Sequence, residues 1–138
     1  MKGLLFGVCL ALGSLTVTGC GDKESDAGCV GGEVGDCEDV CVDGGCDFIS
    51  DGAGTHDYSC EGGDCTLKVT GAGSVNLDCG GGACSVDAMG SGTVRLSCAG
   101  GGCDMTCSGV GTCVIDECPT DDCALDCTAI TATCNESY

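Results

Sequence analysis

Cysteine pairs with four residues between them recur along this chain, at Cys41/Cys46, Cys60/Cys65, Cys79/Cys84, Cys98/Cys103 and Cys118/Cys123. Paired thiols can hold a soft metal, exchange electrons or close into disulfides. Structural zinc sites combine two matching pairs two to four residues apart, whereas these pairs sit in glycine-rich loops at a fixed repeat. A thiol oxidoreductase needs a C-x-x-C pair opening a helix, and the sequence has none. Oxidation to disulfides is the chemistry that the pattern favours.

Other chemistry-bearing residues are few. His56 is the single histidine. Catalysis would require a nucleophile and an orienting acid beside it, and the spacing supplies neither, so it reads as a half-buried residue beside Tyr58 in an end unit. Of the 22 acids, thirteen lie between Asp22 and Asp64, three between Cys65 and Ile115, and six from Asp116 onward. Crowded carboxylates collect calcium when several oxygens converge. The chain lacks both the EF-hand pattern and the GGxGxDxUx calcium repeat, so these acids read as solvated end caps. No catalytic residue, metal site or cofactor is expected.

Composition says what must hold such residues in place. From Cys20 onward, 18 Leu, Ile, Val and Phe serve 119 residues, and the full chain carries a formal charge of −18. So lean an apolar supply with so much charge predicts disorder unless covalent staples carry the fold. The charge also excludes nucleic acid as a partner. Beyond residue 20 only Lys23, Lys68 and Arg95 are basic, and phosphates would be repelled.

The staples come with a repeat. Units begin at Cys41, Cys60, Cys79, Cys98 and Cys118, with steps of 19, 19, 19 and 20 residues, and the first four carry Gly-x-Gly at Gly52/Gly54, Gly71/Gly73, Gly90/Gly92 and Gly109/Gly111. A fixed period of this kind means stacked supersecondary units. Within a unit the pattern alternates: Leu67, Val69, Val75 and Leu77 share one face, and Thr66, Lys68, Ser74, Asn76 and Asp78 the other. Period two on both sides of a glycine turn predicts two short strands. The next copies place Val86, Ala88, Val94 and Leu96, then Met105, Cys107, Cys113 and Ile115, in the same inward columns. No amphipathic helix exists to cover a flat sheet, so the two strands of each unit fold against each other. Stacking then gives an all-β, disulfide-stapled β-solenoid of about five units over residues 41–138, with an antiparallel β-meander as the alternative. The acidic segment 29–40 and the degenerate last unit are the expected caps for the sheet edges.

The N-terminus reads as an address. MKGLLFGVCLALGSLTVTGC has one Lys and an uncharged apolar run from Gly3 to Val17 that is too short and glycine-rich for a membrane span. Its end, Val17-Thr18-Gly19-Cys20, resembles the lipobox of bacterial lipoproteins. That resemblance implies a signal peptide over 1–19, cleavage before Cys20, and acylation of Cys20 as the membrane anchor. It also implies a place in the cell envelope on the extracytoplasmic side, at the outer membrane or cell surface. Several acyl chains at roughly 0.8 kcal/mol per buried methylene give stable anchoring. Residues 20–28 then form a lipidated, flexible tether. Asn135-Glu136-Ser137 matches a glycosylation sequon and is accidental in such a protein.

On that reading Cys9 leaves with the signal and Cys20 is acylated, so 18 − 2 leaves sixteen cysteines to pair. Cys107 with Cys113, and Cys127 with Cys134, replace facing apolar pairs across a turn. The others either close each corner (Cys60 to Cys65) or close each unit across its open end (Cys65 to Cys79). The second scheme strands Cys123 far from Cys29, Cys37 and Cys41. The corner scheme uses every cysteine, with Cys29 to Cys37 in the cap. The expected function is non-enzymatic: an envelope lipoprotein with a structural or adhesive role. The alternative is a surface module for divalent cations or cell-surface polysaccharide, for which aromatic platforms are scarce because Trp is absent and Tyr58 and Tyr138 are the only tyrosines.

Overall fold

A computed structural model describes residues 35–137. The expectations for the signal peptide, Cys20, the tether and Cys29 therefore lie outside the described residues. Eleven strands follow one another: β1 (Cys37–Cys41), β2 (Asp47–Ser50), β3 (Thr55–Cys60), β4 (Thr66–Val69), β5 (Ser74–Asp78), β6 (Ser85–Ala88), β7 (Thr93–Ser97), β8 (Asp104–Cys107), β9 (Thr112–Asp116), β10 (Ala124–Cys127) and β11 (Thr133–Ser137). Odd strands form one sheet in the order β1-β3-β5-β7-β9-β11, and even strands form another in the order β10-β8-β6-β4-β2. Every pairing is parallel and joins each strand to its counterpart one turn away, Leu77 to Leu96 to Ile115 for example. This is a β-solenoid. The meander alternative fails because a meander would pair β3 with β4 instead of β5.

The alternating sequence produces this register because a one-residue slip would send every inward side chain to solvent. Four columns line the interior between the sheets. On the even strands they are Phe48, Leu67, Val86, Met105 and Leu125, then Ser50, Val69, Ala88, Cys107 and Cys127. On the odd strands they are His56, Val75, Val94, Cys113 and Cys134, then Tyr58, Leu77, Leu96, Ile115 and Glu136. Leu67, Val69, Leu77, Leu96, Met105 and Ile115 are all buried to within 1%. The supply of large side chains is small, but each falls where it is fully used.

Glycine lets the turns stack as closely as the strands. A Cβ on Gly92 would run into the carbonyl oxygen of Gly73, and one on Gly73 into that of Gly54. At the opposite corner Gly63 takes φ 78° and Gly82 φ 80°, a left-handed backbone that glycine adopts without strain. The last unit lacks Gly-x-Gly and bulges instead, leaving Ile130 wholly exposed. The twentieth residue of the long step is Glu117: Asp116 stacks on Ser97, and Glu117 at φ 58° is the extra residue before Cys118.

Both ends differ from the expected solvated caps in one respect. Residues 37–40, within the cap segment, belong to β1 and place Asp39 in the Tyr58 column, while β11 places Glu136 in the Ile115 column. Each end therefore points a carboxylate along the line of the core, where another apolar strand would have to stack. Inward charge on a terminal strand opposes such addition.

Candidate functional site

Five disulfides close the corners: Cys41–Cys46, Cys60–Cys65, Cys79–Cys84, Cys98–Cys103 and Cys118–Cys123, with Cα separations of 6.2 to 6.3 Å. Two more, Cys107–Cys113 and Cys127–Cys134, cross between the sheets at the glycine-turn end, with separations of 6.5 and 6.6 Å. All seven spans suit a bridge without backbone distortion. Cys37 is also disulfide-bonded. In each corner the chain leaves one sheet and enters the other, and the bridge ties a cysteine at or just past the end of one strand to the residue preceding the next. Sulfurs of Cys60 and Cys79 rest 3.2 and 3.3 Å from the carbonyl oxygens of Gly63 and Gly82.

Stacking brings bridges of neighbouring turns together. The sulfurs of Cys60, Cys79 and Cys84 lie within 4.8 Å of one another, as do those of Cys98, Cys103 and Cys123, and those of Cys107, Cys127 and Cys134. Such groups have the proximity of a metal site but not its chemistry, since bridged sulfurs are not thiolates.

The interior pair at positions 50 and 56 is the feature that sequence reasoning missed. Ser50 Oγ and His56 Nδ1 are 2.7 Å apart and both residues are buried, at 1% and 4% exposure. His56 is thus fully enclosed rather than half-buried, because its column lies between two sheets and β1 stacks over it. A signal was present: Cys107 and Cys113 face each other at the same six-residue spacing, and the register puts Ser50 and His56 in those same two columns. Nucleophile and base stand at hydrogen-bond distance, but the pair is sealed in packed core. It occupies the layer held by Val69 and Val75 one turn later, and by bridged cysteines at Cys107/Cys113 and Cys127/Cys134.

Tyr58 completes this layer. Its ring packs on Phe48 at 4.8 Å between centroids, and its hydroxyl donates to the Ile49 carbonyl at 3.2 Å. Burial pushes its phenol above the ordinary range; the Ser50 hydroxyl opposes this, and the charges of Asp39 and Asp51 reinforce it. One carboxylate oxygen of Asp39 is buried without a hydrogen-bond partner, while the other accepts from the Val40 backbone N–H at 2.8 Å.

Outside, the odd-strand sheet carries a hydroxyl ladder of Thr55, Ser74, Thr93, Thr112 and Thr133. A shallow hollow on that sheet is lined by Glu38, Asp57, Asn76 and Asp78 among others. Within it Asn76 Nδ2 donates to Asp57 Oδ1 at 2.6 Å, so one carboxylate is already engaged. Further along, Arg95 pairs with Asp116 at 2.9 Å, both partly exposed. Comparison with protein-family models, with curated proteins and with solved structures found no match, so what this arrangement does is argued from the chain's own residues.

Proposed function

We propose that this protein is a non-enzymatic lipoprotein of the cell envelope, held to a membrane through an acylated Cys20 and serving as a rigid structural or adhesive element. The observation that carries the reading is the pairing of a fully packed interior with flat outward ladders, above all Thr55, Ser74, Thr93, Thr112 and Thr133, repeating at the strand spacing. A surface of that kind meets an extended partner at many equivalent points, and hydroxyls suit the polar face of a polysaccharide. Cation binding is the second reading. It rests on carboxylates in one shallow hollow, where Asn76 already holds Asp57.

Full-length wild type and Cys20→Ser, expressed in a bacterial host, are to be partitioned with detergent. Wild type should enter the detergent phase, and Cys20→Ser should stay uncleaved or soluble; equal partitioning would end the lipoprotein reading. Retention of the cells on polysaccharide-coated surfaces then separates the two roles. Lysines introduced at Ser74 and Thr93 should abolish retention if the ladder is adhesive and leave it unchanged if the role is structural.

A further inference from the structure

We propose that the tip of the last turn is a site of thiol–disulfide exchange, at which Cys127–Cys134 reacts with a small uncharged or cationic thiol and passes the exchange to Cys107–Cys113 in the turn beneath. Three observations converge. Cys127 is exposed and Cys134 half-buried, whereas Cys107 and Cys113 are 1% and 4% exposed and the corner cysteines from Cys60 to Cys103 no more than 1%. Cys46 and Cys123 of the two end corners are half-buried like Cys134, but Cys127 is the one exposed cysteine among the described residues. Exchange needs a thiolate to reach a sulfur, so access favours this bridge. Among the described residues no strand stacks on the outer side of β10 or β11, the terminal members of their sheets. Finally, the sulfurs of Cys107, Cys127 and Cys134 lie within 4.8 Å of one another, so a thiolate freed in the last turn is already beside the next bridge.

The steps balance with the small thiol as reductant. Its thiolate attacks Cys127 Sγ; a sulfur–sulfur bond forms to the small molecule, and the bond to Cys134 breaks, its electron pair leaving on Cys134. Cys134 thiolate then attacks Cys107 Sγ, forming a Cys107–Cys134 bridge between turns and expelling Cys113 as thiolate, which takes up a proton. A second small thiol attacks the mixed disulfide, releasing its oxidised dimer and the Cys127 thiol. Two small thiols are oxidised and one protein bridge is reduced. Asp126 adjoins Cys127, and Glu136 is two residues from Cys134. Every attacking thiolate carries one negative charge, and a reagent that adds a carboxylate to it is repelled further, which sets the preference for thiols whose remaining groups are uncharged or cationic.

This inference does not depend on the anchor, and the oxidised full chain tests it directly. Under limiting 2-mercaptoethanol, with alkylation of the native protein and peptide mapping, label should appear on Cys127 and on Cys113 or Cys134 before any corner cysteine, while the strand signal persists. Labelling of all bridges in one step together with loss of the strand signal would overturn it, as would labelling of a corner first. Cysteamine should react faster than mercaptoacetate at equal thiolate concentration, and the difference should shrink with salt; equal rates in low salt would remove the charge preference. Cys127→Ser isolates the handover, because it leaves Cys134 as a thiol with no added reductant. Cys107–Cys134 peptides with label on Cys113 are expected, and label confined to Cys134 would refute the second step. If that variant does not fold, the wild-type order of labelling decides.

Discussion

The middle turns and the two ends solve the same packing problem with different materials. From Cys60 to Cys103 the interior is aliphatic and closed by fully buried bridges. In the first turn the equivalent layer is a Ser50–His56 hydrogen bond, with Cys37 stacked on His56 and Asp39 on the adjoining Tyr58, and in the last it is a partly exposed disulfide beside Glu136. A middle turn has a neighbour on each side, so apolar side chains are covered twice; an end turn is covered once. An aliphatic column that simply continued to the end would offer a strand edge with a greasy face. Polar pairs, bridges and inward acids fill the same positions while making further stacking unfavourable. The difference teaches that the strand register runs through every turn while the chemistry that fills it changes at the ends.

Reduction should break that comparison most completely, because staples serve both regions. A closed loop of about six residues contributes on the order of 2 kcal/mol per bridge on the chain-entropy estimate. The seven defined bridges together would supply about 15 kcal/mol, comparable with the whole stability of an ordinary small domain. Full reduction should abolish the strand signal in circular dichroism. Retention of that signal would mean that the aliphatic columns fold the chain unaided.

Single truncations come next, and they should rank by position. Leu96→Ala opens a cavity under strands on both sides and should cost about 2–5 kcal/mol in denaturant unfolding. Leu125→Ala removes the same atoms from the half-buried terminal turn, where the site can collapse, and should cost about 2 kcal/mol or less. Equal losses would show that the ends are as tightly packed as the middle.

The first turn can be converted into a middle turn. Ser50→Val alone should leave His56 Nδ1 buried without its partner and cost about 1–3 kcal/mol. The double change Ser50→Val, His56→Val installs the Val69/Val75 arrangement of the next turn and should restore most of that loss. A double variant no better than the single one would place the pair's value elsewhere, in the packing of His56 against Tyr58, whose rings lie 6.5 Å apart.

How far these features could be read in advance depends on whether they are periodic. Period and alternation are local, so the strands, the inward columns around Leu67 and Leu77, and a two-sheet solenoid were all legible, and the corner disulfides follow from the repeat once every cysteine must be used. What escaped was what the repeat does not repeat. His56 aligns with the Val75 and Val94 column and the strands of a unit were expected to face, but a serine and a histidine in columns otherwise filled by aliphatic residues and cysteines do not announce themselves as a pair. Asp39 and Glu136 looked like members of a solvated acidic population, because only the register with Tyr58 and Ile115 turns them inward. Glu117 was visible as a step of 20 rather than 19, but its place as a left-handed bulge between Asp116 and Cys118 was not.

The smallest expected effect lies where the glycine corner runs out. In the middle turns each corner N–H donates to a glycine carbonyl one turn on, Asp64 to Gly82 and Ala83 to Gly101, at 3.0 and 2.9 Å. At the next step the acceptor is a side chain: Gly102 N–H donates to Asp122 Oδ1 at 2.8 Å, and the Thr120 hydroxyl donates to the same oxygen. The Thr120 bond, and after it the Gly102 bond, hold the Asp122 carboxyl below its ordinary value. Both bonds are stronger to the carboxylate than to the neutral acid, so the folded state binds its proton more weakly than the unfolded chain does. The stabilisation is therefore present above the unfolded carboxylate value of about 3.9 and is lost as pH falls from there through the lower folded value. Asp122 is exposed, so solvent screens the effect and it should be small. Denaturation midpoints of wild type and Asp122→Asn should differ slightly at neutral pH and converge in acid. A gap that persists unchanged to low pH would assign the corner's stability to the shape of the side chain and not to its charge.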